Sequence, residues 1–558
     1  MSVDKTIPVS DASQPTAAQS SRRWFALATV ALGVSLIIMD ATVVNVALPV
    51  VIRDLNLTST QAEWMNSIYS LVFAALLLTL GRIGDLFGRR KLFAAGIVLF
   101  MAASVAAGFA DSGTLLIAAR LVQGVGAAMI LPSTLSTLNA MFFGRERAIA
   151  FAVWGATIGG MAAVGPLVGG WLTTDVSWRW AFWLNIPFGI LVLFGILFAV
   201  PETRDETARK GLDVGGFFLS SVGMAAIVFA LIEGQNYGWI VQSNGTISPV
   251  IIALVIGIVF MTEFVRVQIV RARKGKLVLI DLRLLGIKSF RFGSIAALIV
   301  ALGEFGLIFT LPLLLENALG LSPLGTGWLI MSLAIGTFFI SGMTPRLTAK
   351  FGSRTVVRAG LATEAIAVGG LALTLSMTVS GWIIAVWLFL YGIGVGMATA
   401  QLTSVILSDV PVAESGQASG LQSTFRQLGS ALGVAVLGSL LIGSLGHVTA
   451  NNLSSTHLPA AAQEQVTAAV KESAGAAIPA LQAKPATASA GDAAASAMVT
   501  ASKFTTGAAA IIIGIGLIAT LALPATPKDH GGQGTENDAD SATSKSRATR
   551  RTKPTTKA

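Results

Sequence analysis

The sequence predicts an all-α integral membrane protein of about fourteen transmembrane helices, two six-helix bundles with two extra helices inserted between them. Three observations lead there. The first is composition: 54% of the 558 residues are hydrophobic and 12% are charged, with a mean hydropathy of +0.75. A soluble domain carries roughly twice that charged fraction. The second is a series of apolar runs, each about the 20 residues that cross a bilayer. The third is that every second loop is basic, the signature of segments retained on the cytoplasmic face.

Taken in order, residues 1–21 are polar, lack a signal-peptide pattern and are expected to be a disordered cytoplasmic N-terminus. Apolar runs centred near residues 37, 72, 101, 125, 160 and 190 build the first bundle, 22–201. The linker 202–287 carries two further helices at roughly 214–234 and 248–270. Runs centred near 302, 334, 366, 392, 430 and 513 build the second bundle, 288–523. That bundle includes an Ala/Ser/Thr-rich outer loop, 446–503, expected to be disordered or to carry a short surface helix around Gln463 to Ser473. Residues 524–558 form a basic tail that cannot build a core and is expected to be disordered in the cytoplasm. Trp171, Trp178, Trp180 and Trp183 cluster between the fifth and sixth helices, where aromatic side chains anchor at headgroup depth. The basic loops place both termini inside a cytoplasmic (inner) membrane.

Several chemistries are excluded. The chain has no cysteine, and its three histidines lie in polar or tail segments without ligand spacing, so no metal site is expected. The net charge of +10 serves orientation and attraction to lipid, not nucleic-acid binding. No Gly-x-x-x-x-Gly-Lys-Ser/Thr loop occurs. No enzymatic activity and no cofactor are expected, and the proton gradient is the available drive.

The stretch Gly81-Arg-Ile-Gly-Asp-Leu-Phe-Gly-Arg-Arg-Lys91 joins the second and third apolar runs. Glycines at 81, 84 and 88 suit a tight reversal. Charge alone accounts for Arg82, Arg89, Arg90 and Lys91; it does not account for Asp85. The spacing of Arg82, Phe87, Gly88 and Arg90 recurs in Arg346, Phe351, Gly352 and Arg354, with Ala349 in the place of Asp85. Parallel repeats of this kind build transporters whose halves rock around a midplane site.

Four further stretches carry a family resemblance. They are Met39-Asp-Ala-Thr-Val-Val-Asn-Val-Ala-Leu-Pro49, Arg120-Leu-Val-Gln-Gly-Val-Gly126, the run from Gly155 to Gly170, and Trp178-Arg-Trp-Ala-Phe-Trp-Leu-Asn-Ile-Pro187. With the loop 81–91, they resemble the 14-helix drug:proton antiporters of the major facilitator superfamily over Trp24 to Leu523. The resemblance implies the major facilitator fold and multidrug efflux. It also implies that the fifth helix, through Gly155, Gly159, Gly165, Pro166, Gly169 and Gly170, belongs to exporters. It further suggests that Gly81, Asp85, Gly88, Arg89 and Arg90 form a conformational switch, in which Asp85 ties the halves together near Glu414–Ser419. A helix N-terminus there is a suitable acceptor for a carboxylate.

Depth singles out the buried charges. Asp40 lies about 17 residues after Arg23 and about 13 before Arg53, near mid-membrane. An acid there costs roughly 2.5–3.5 kcal/mol and marks proton or substrate work, the alternative being a protonated structural residue. Arg120, always charged, needs carbonyls, water or a carboxylate, and Asp40 is the nearest candidate in depth. The two are assigned to proton coupling, the alternative for Arg120 being a helix–helix tether. Glu304 and Arg426 fall near the same depth in the second half. Together with Asp40 they are assigned to the substrate cavity, Glu304 and Arg426 either pairing or facing it. Glu364 is placed closer to the cytoplasmic side, and Glu233 and Glu263 near helix ends.

The expected function is proton-coupled export of amphipathic or cationic compounds by alternating access. The expected partners are those substrates, protons and the bilayer, with a periplasmic adaptor protein as an unsupported addition. A second reading is a dedicated exporter of one metabolite, such as an antibiotic or siderophore. A third is a non-transporting receptor or scaffold, which gains nothing from charges at mid-membrane.

Overall fold

Backbone amides have no partner in hydrocarbon except one another, so the apolar runs fold as helices. The computed structural model describes residues 17–57, 59–204, 211, 213–242, 245–411, 414–454 and 458–523. The expected tail at 524–558 lies outside the described residues, as do residues 1–16. Helix α1 spans Ala17–Asp54 and so starts inside the stretch expected to be disordered. Neither proline nor glycine lies between Ala17 and Arg22 to stop it.

The first half continues with α2 (Ser59–Phe87), α3 (Arg89–Gly108), α4 (Gly113–Met141), α5 (Gly144–Trp171), the single turn α6 (Trp180–Trp183) and α7 (Asn185–Phe198). The inserted pair is α8 (Val214–Tyr237) and α9 (Pro249–Arg273). The second half comprises α10 (Lys288–Asn317), α11 (Pro323–Ser341), the short α12 (Thr344–Phe351), α13 (Ser353–Thr374), α14 (Gly381–Ile406), α15 (Ser415–Leu453), α16 (Ala460–Glu472), α17 (Ile478–Gln482) and α18 (Ala488–Ala519). Among the described residues, thirteen helical spans are long and apolar enough to cross a membrane. The 28-residue α5 is not among them.

In the first half, α1 packs on α5 and α7, α2 on α4, and α3 on α4 and α7. The second half repeats the plan with α10 on α15 and α18, α11 on α14, and α13 on α14 and α18. The halves meet along α2–α15, α4–α15, α5–α11 and α5–α14, and α8 lies against both α2 and α15. Helix α9 turns Ile252, Val255, Ile258 and Val259 outward, a face suited to hydrocarbon. Serine and aspartate caps start three of the later helices, α8, α9 and α11: Asp213 accepts from Gly216 N–H, Ser248 from Val250 N–H and Ser322 from Gly325 N–H.

Three expectations need correction. Segment 446–503 is mostly helical among its described residues: α15 runs on to Leu453, α16 falls on the short helix expected around Gln463 to Ser473 and packs on α15, α17 packs on α18, and α18 already begins at Ala488. Val466, Val470, Ile478 and Leu453 are buried there with Ala494 and Met498. Alanine has the highest helix propensity, and these sparse apolar residues fall on one side of it. Of the loop glycines, only Gly88 (φ +110°) makes the reversal; Gly81 and Gly84 are inside α2. Finally, lipid anchoring fits Trp171 and Trp180, which are exposed, but not Trp178. Its indole N–H is buried against α1 and donates to Asp54 at 2.8 Å, with Arg179 on the same carboxylate at 2.9 Å.

Candidate functional site

Asp40 is enclosed in the first half, 1% exposed, at the meeting of α1, α3, α4 and α7. Its Oδ2 accepts from Arg120 Nη1 at 2.5 Å. Its Oδ1 accepts from Asn185 Nδ2 at 2.8 Å and Gln123 Nε2 at 3.2 Å. Gln123 returns its carbonyl oxygen to Arg120 at 3.0 Å, and both amides donate to Ser104 Oγ. Ser104 in turn donates to the Phe100 carbonyl at 2.8 Å. The Arg120 guanidinium lies 4.3 Å from the Tyr69 ring centroid, a cation–π contact strengthened by the dry surroundings. Depth alone pointed to Asp40 and Arg120. Gln123, Asn185, Ser104 and Tyr69 had no such signal, because uncharged polar residues are common in spans. Asp40 lines neither of the two cavities described below.

In the second half, Glu304 Oε1 accepts from Thr399 Oγ1 at 3.1 Å. Glu304 and Arg426 line a cavity of about 20 Å³ with Gln422 and Thr403, room for one water molecule. The Arg426 guanidinium lies 5.9 Å from the Phe305 ring. Glu364 differs from its expected setting. It is fully enclosed, and among the described residues neither its carboxyl oxygens nor the Tyr391 hydroxyl has a hydrogen-bond partner. Counting residues gave its height but not the neighbours that close over it.

Asp85 bridges the halves. Its Oδ1 accepts from Gly416 N–H at 2.9 Å and its Oδ2 from Gln417 N–H at 2.8 Å. These are first-turn amides of α15, whose unpaired donors and dipole favour an anion. Arg89, 1% exposed, binds the same carboxylate at 2.6 Å. Arg90 reaches the Leu197 carbonyl at 2.9 Å at the end of α7. Its repeat partner Arg354 reaches the Leu521 carbonyl at 2.7 Å, just past α18. Charge alone therefore does not account for Arg89 and Arg90: one neutralises Asp85, the other caps a helix C-terminus. At the same end, Asn139 Nδ2 donates to Ser415 Oγ, Arg147 to the Ser404 carbonyl and Gln401 to the Ala148 carbonyl. Gly81 lets α2 close on α15, since a Cβ there would stand 2.5 Å from the Gly416 carbonyl oxygen.

Along α5, Gly165 and Gly169 lie against Thr42 and Val43 of α1, and Gly160 lies against Phe338 of α11. Gly155 is buried; the surroundings of Gly159 and Pro166 lie outside the described residues. Gly170 has open space beside it. Beside this helix is an apolar cavity of about 350 Å³, lined among others by Leu36, Met39, Met161, Val168, Trp171 and Phe188. Among the described residues there is no cluster of histidine and acidic side chains able to hold a metal ion.

Residues 30–434 match the family model of the Major Facilitator Superfamily. The chain belongs to the major facilitator superfamily. Similar major facilitator proteins include the puromycin resistance protein pur8 of Streptomyces alboniger, 35% identical over 76% of this chain and 82% of that one. The probable actinorhodin transporter of Streptomyces coelicolor is 34% identical over 76% and 74%. The multidrug efflux pump LfrA of Mycolicibacterium smegmatis is 33% identical over 82% and 86%. The fold is that of the human organic anion transporter MFSD10, with a TM-score of 0.58, 14% identity, and 91% of this chain and all of that one covered. Family and fold make this a multi-pass membrane protein that moves small molecules across the bilayer.

Proposed function

We propose that the protein exports amphipathic or cationic toxic compounds across the cytoplasmic membrane in exchange for protons. In this reading the basic-loop end and both termini are cytoplasmic. The observation that carries it is the enclosed Asp40 in contact with Arg120, Gln123 and Asn185. Protonating Asp40 frees the guanidinium and both amides to take other partners. Such a rearrangement in the middle of a four-helix junction is a means of biasing one arrangement of the halves over another. Met39, the residue before Asp40, lines the 350 Å³ apolar cavity, whose size and lining suit a small amphipathic molecule. The apposition through Asp85, Asn139 and Arg147 fits a state closed towards the cytoplasm. Relatives named for multidrug efflux and puromycin resistance support the same reading.

A dedicated exporter of one metabolite is the second reading, favoured by likeness to the probable actinorhodin transporter. Susceptibility of a deletion strain to chemically diverse compounds separates the two. The export reading is tested in proteoliposomes with an internal pH dye. Ethidium is expected to stimulate proton flux through the native protein, and Asp40→Asn is expected to abolish it while leaving the protein inserted. Undiminished flux through Asp40→Asn overturns the role of Asp40.

A further inference from the structure

The two halves can be superposed residue by residue from their own close contacts. Gly96 of α3 lies against the Gly126 carbonyl, Met129 and Ile130 of α4. Gly360 of α13 lies in the same way against the Gly394 carbonyl, Met397 and Ala398 of α14. Gly124 of α4 meets the Tyr69 carbonyl of α2, and Gly392 of α14 meets the Leu333 carbonyl of α11. Matched through these contacts, Arg120 corresponds to Leu388 and Gln123 to Tyr391. The spacing that relates Arg82 to Arg346 also relates Asp40 to Glu304, and Phe100 to Glu364.

The second half therefore keeps the acid of the first, loses its guanidinium to a leucine and gains a second acid. Leu388 is 1% exposed, Tyr391 1% and Glu364 0%. The side chain of Glu364 fills the space left by Gly394, where an added Cβ would stand 2.4 Å from its Cγ. Both acids face α14: Gly394 lies against Glu364, and five residues further along Thr399 donates to Glu304 at 3.1 Å. The charged or titratable groups facing Glu364 are Glu304 from α10 and Tyr391 from α14. Helix α18 contributes none, its Asp492 and Lys503 lying towards its other end. Arg426 on α15 faces Glu304 across the water-sized cavity. A buried carboxylate with no donor on either oxygen is far costlier than the neutral acid. In the first half a guanidinium removes that cost; at Glu364, whose oxygens have no donor among the described residues, a proton removes it instead.

We propose that Glu364 is a second proton-binding site, which exchanges its proton with the transport pathway by way of Glu304 and the small polar cavity. The inference rests on the proton-driven export reading and deepens it. With Asp40 as the first site, each cycle carries two protons inward for one substrate outward. Export of a singly charged cation then moves one net positive charge inward, so an inside-negative potential accelerates it. With the second site removed, the exchange is one for one and electrically silent.

The test is ethidium export from proteoliposomes at fixed pH gradient, with and without a potassium-diffusion potential. The native protein is expected to run several-fold faster with the potential. Glu364→Gln is expected to keep pH-driven export and lose the potential dependence. Leu388→Arg, which supplies the guanidinium present in the first half, is expected to do the same by a route that does not touch Glu364. A potential-driven rate in both variants, or its absence in a native protein that does exchange protons for ethidium, overturns the second site. A native protein without any ethidium-stimulated proton flux overturns the export reading, and the second site with it.

Discussion

Asp40 shows how much depends on the partners of one residue. Removing one member of a buried ion pair leaves the other charge uncompensated, at about 3–5 kcal/mol. Asp40→Leu is therefore expected to lower unfolding stability in detergent by about that amount. Asp40→Leu combined with Arg120→Leu should lose markedly less than the two single effects together. Additive losses in a double-mutant cycle would show that the pair does not act as a unit. Asp40 and Arg120 were legible in the sequence because a charge inside an apolar run is conspicuous. The rest of their network was not, since Gln123, Asn185 and Ser104 acquire meaning only when four helices bring them together. Glu364 illustrates the same limit: a residue count along one helix fixes depth, whereas burial depends on what α14 places opposite.

At the scale of the element, the helices were legible and their ends were not. Apolar length fixed the spans, and α16 lies on the short helix expected around Gln463 to Ser473, but α17 and the extensions of α15 and α18 were hidden by a composition that resembles disorder. The segment after α5 follows a similar rule. Trp178 and Arg179 tie it to the last residue of α1, and the Trp178 N–H, followed by Arg179, holds the Asp54 carboxyl below its ordinary range. A group with a depressed folded-state pKa adds stability at neutral pH and loses it as the pH falls through the carboxylate range, near about 4. Acidification below that point is expected to release Trp178 and red-shift its fluorescence. Asp54→Asn should remove this pH dependence. A tryptophan signal that shifts equally in Asp54→Asn would assign the change elsewhere.

At the scale of the molecule, the decisive surface is the seam where α2 meets α15. The close approach at Gly81 leaves no room for a methyl group, and overpacking of this kind costs about 1–3 kcal/mol. Gly81→Ala should shift the halves towards the arrangement open at the basic-loop end. Because the chain lacks cysteine, one introduced at Ser419 reports directly. Its reaction with a thiol reagent is expected to be on the order of tenfold faster when Gly81→Ala is also present than when Gly81 is kept. Equal rates would show that the seam does not govern opening. The lone acid in the basic loop asked for a role beyond topology and the family resemblance suggested this contact, but the role of Gly81 as a point of helix approach did not show, because glycine suits a turn and a close contact equally well. The partners of Asp85 carry one more consequence. Those on α15 are main-chain amides, so the bond survives whatever side chain stands at residue 417 unless proline removes the N–H. The Gln417 side chain is thereby left for a second task, accepting from Asp281 N–H at 3.0 Å in the segment leading from α9 to α10. A single residue joins both halves to the inserted pair, and substitution can sever the second tie while sparing the first.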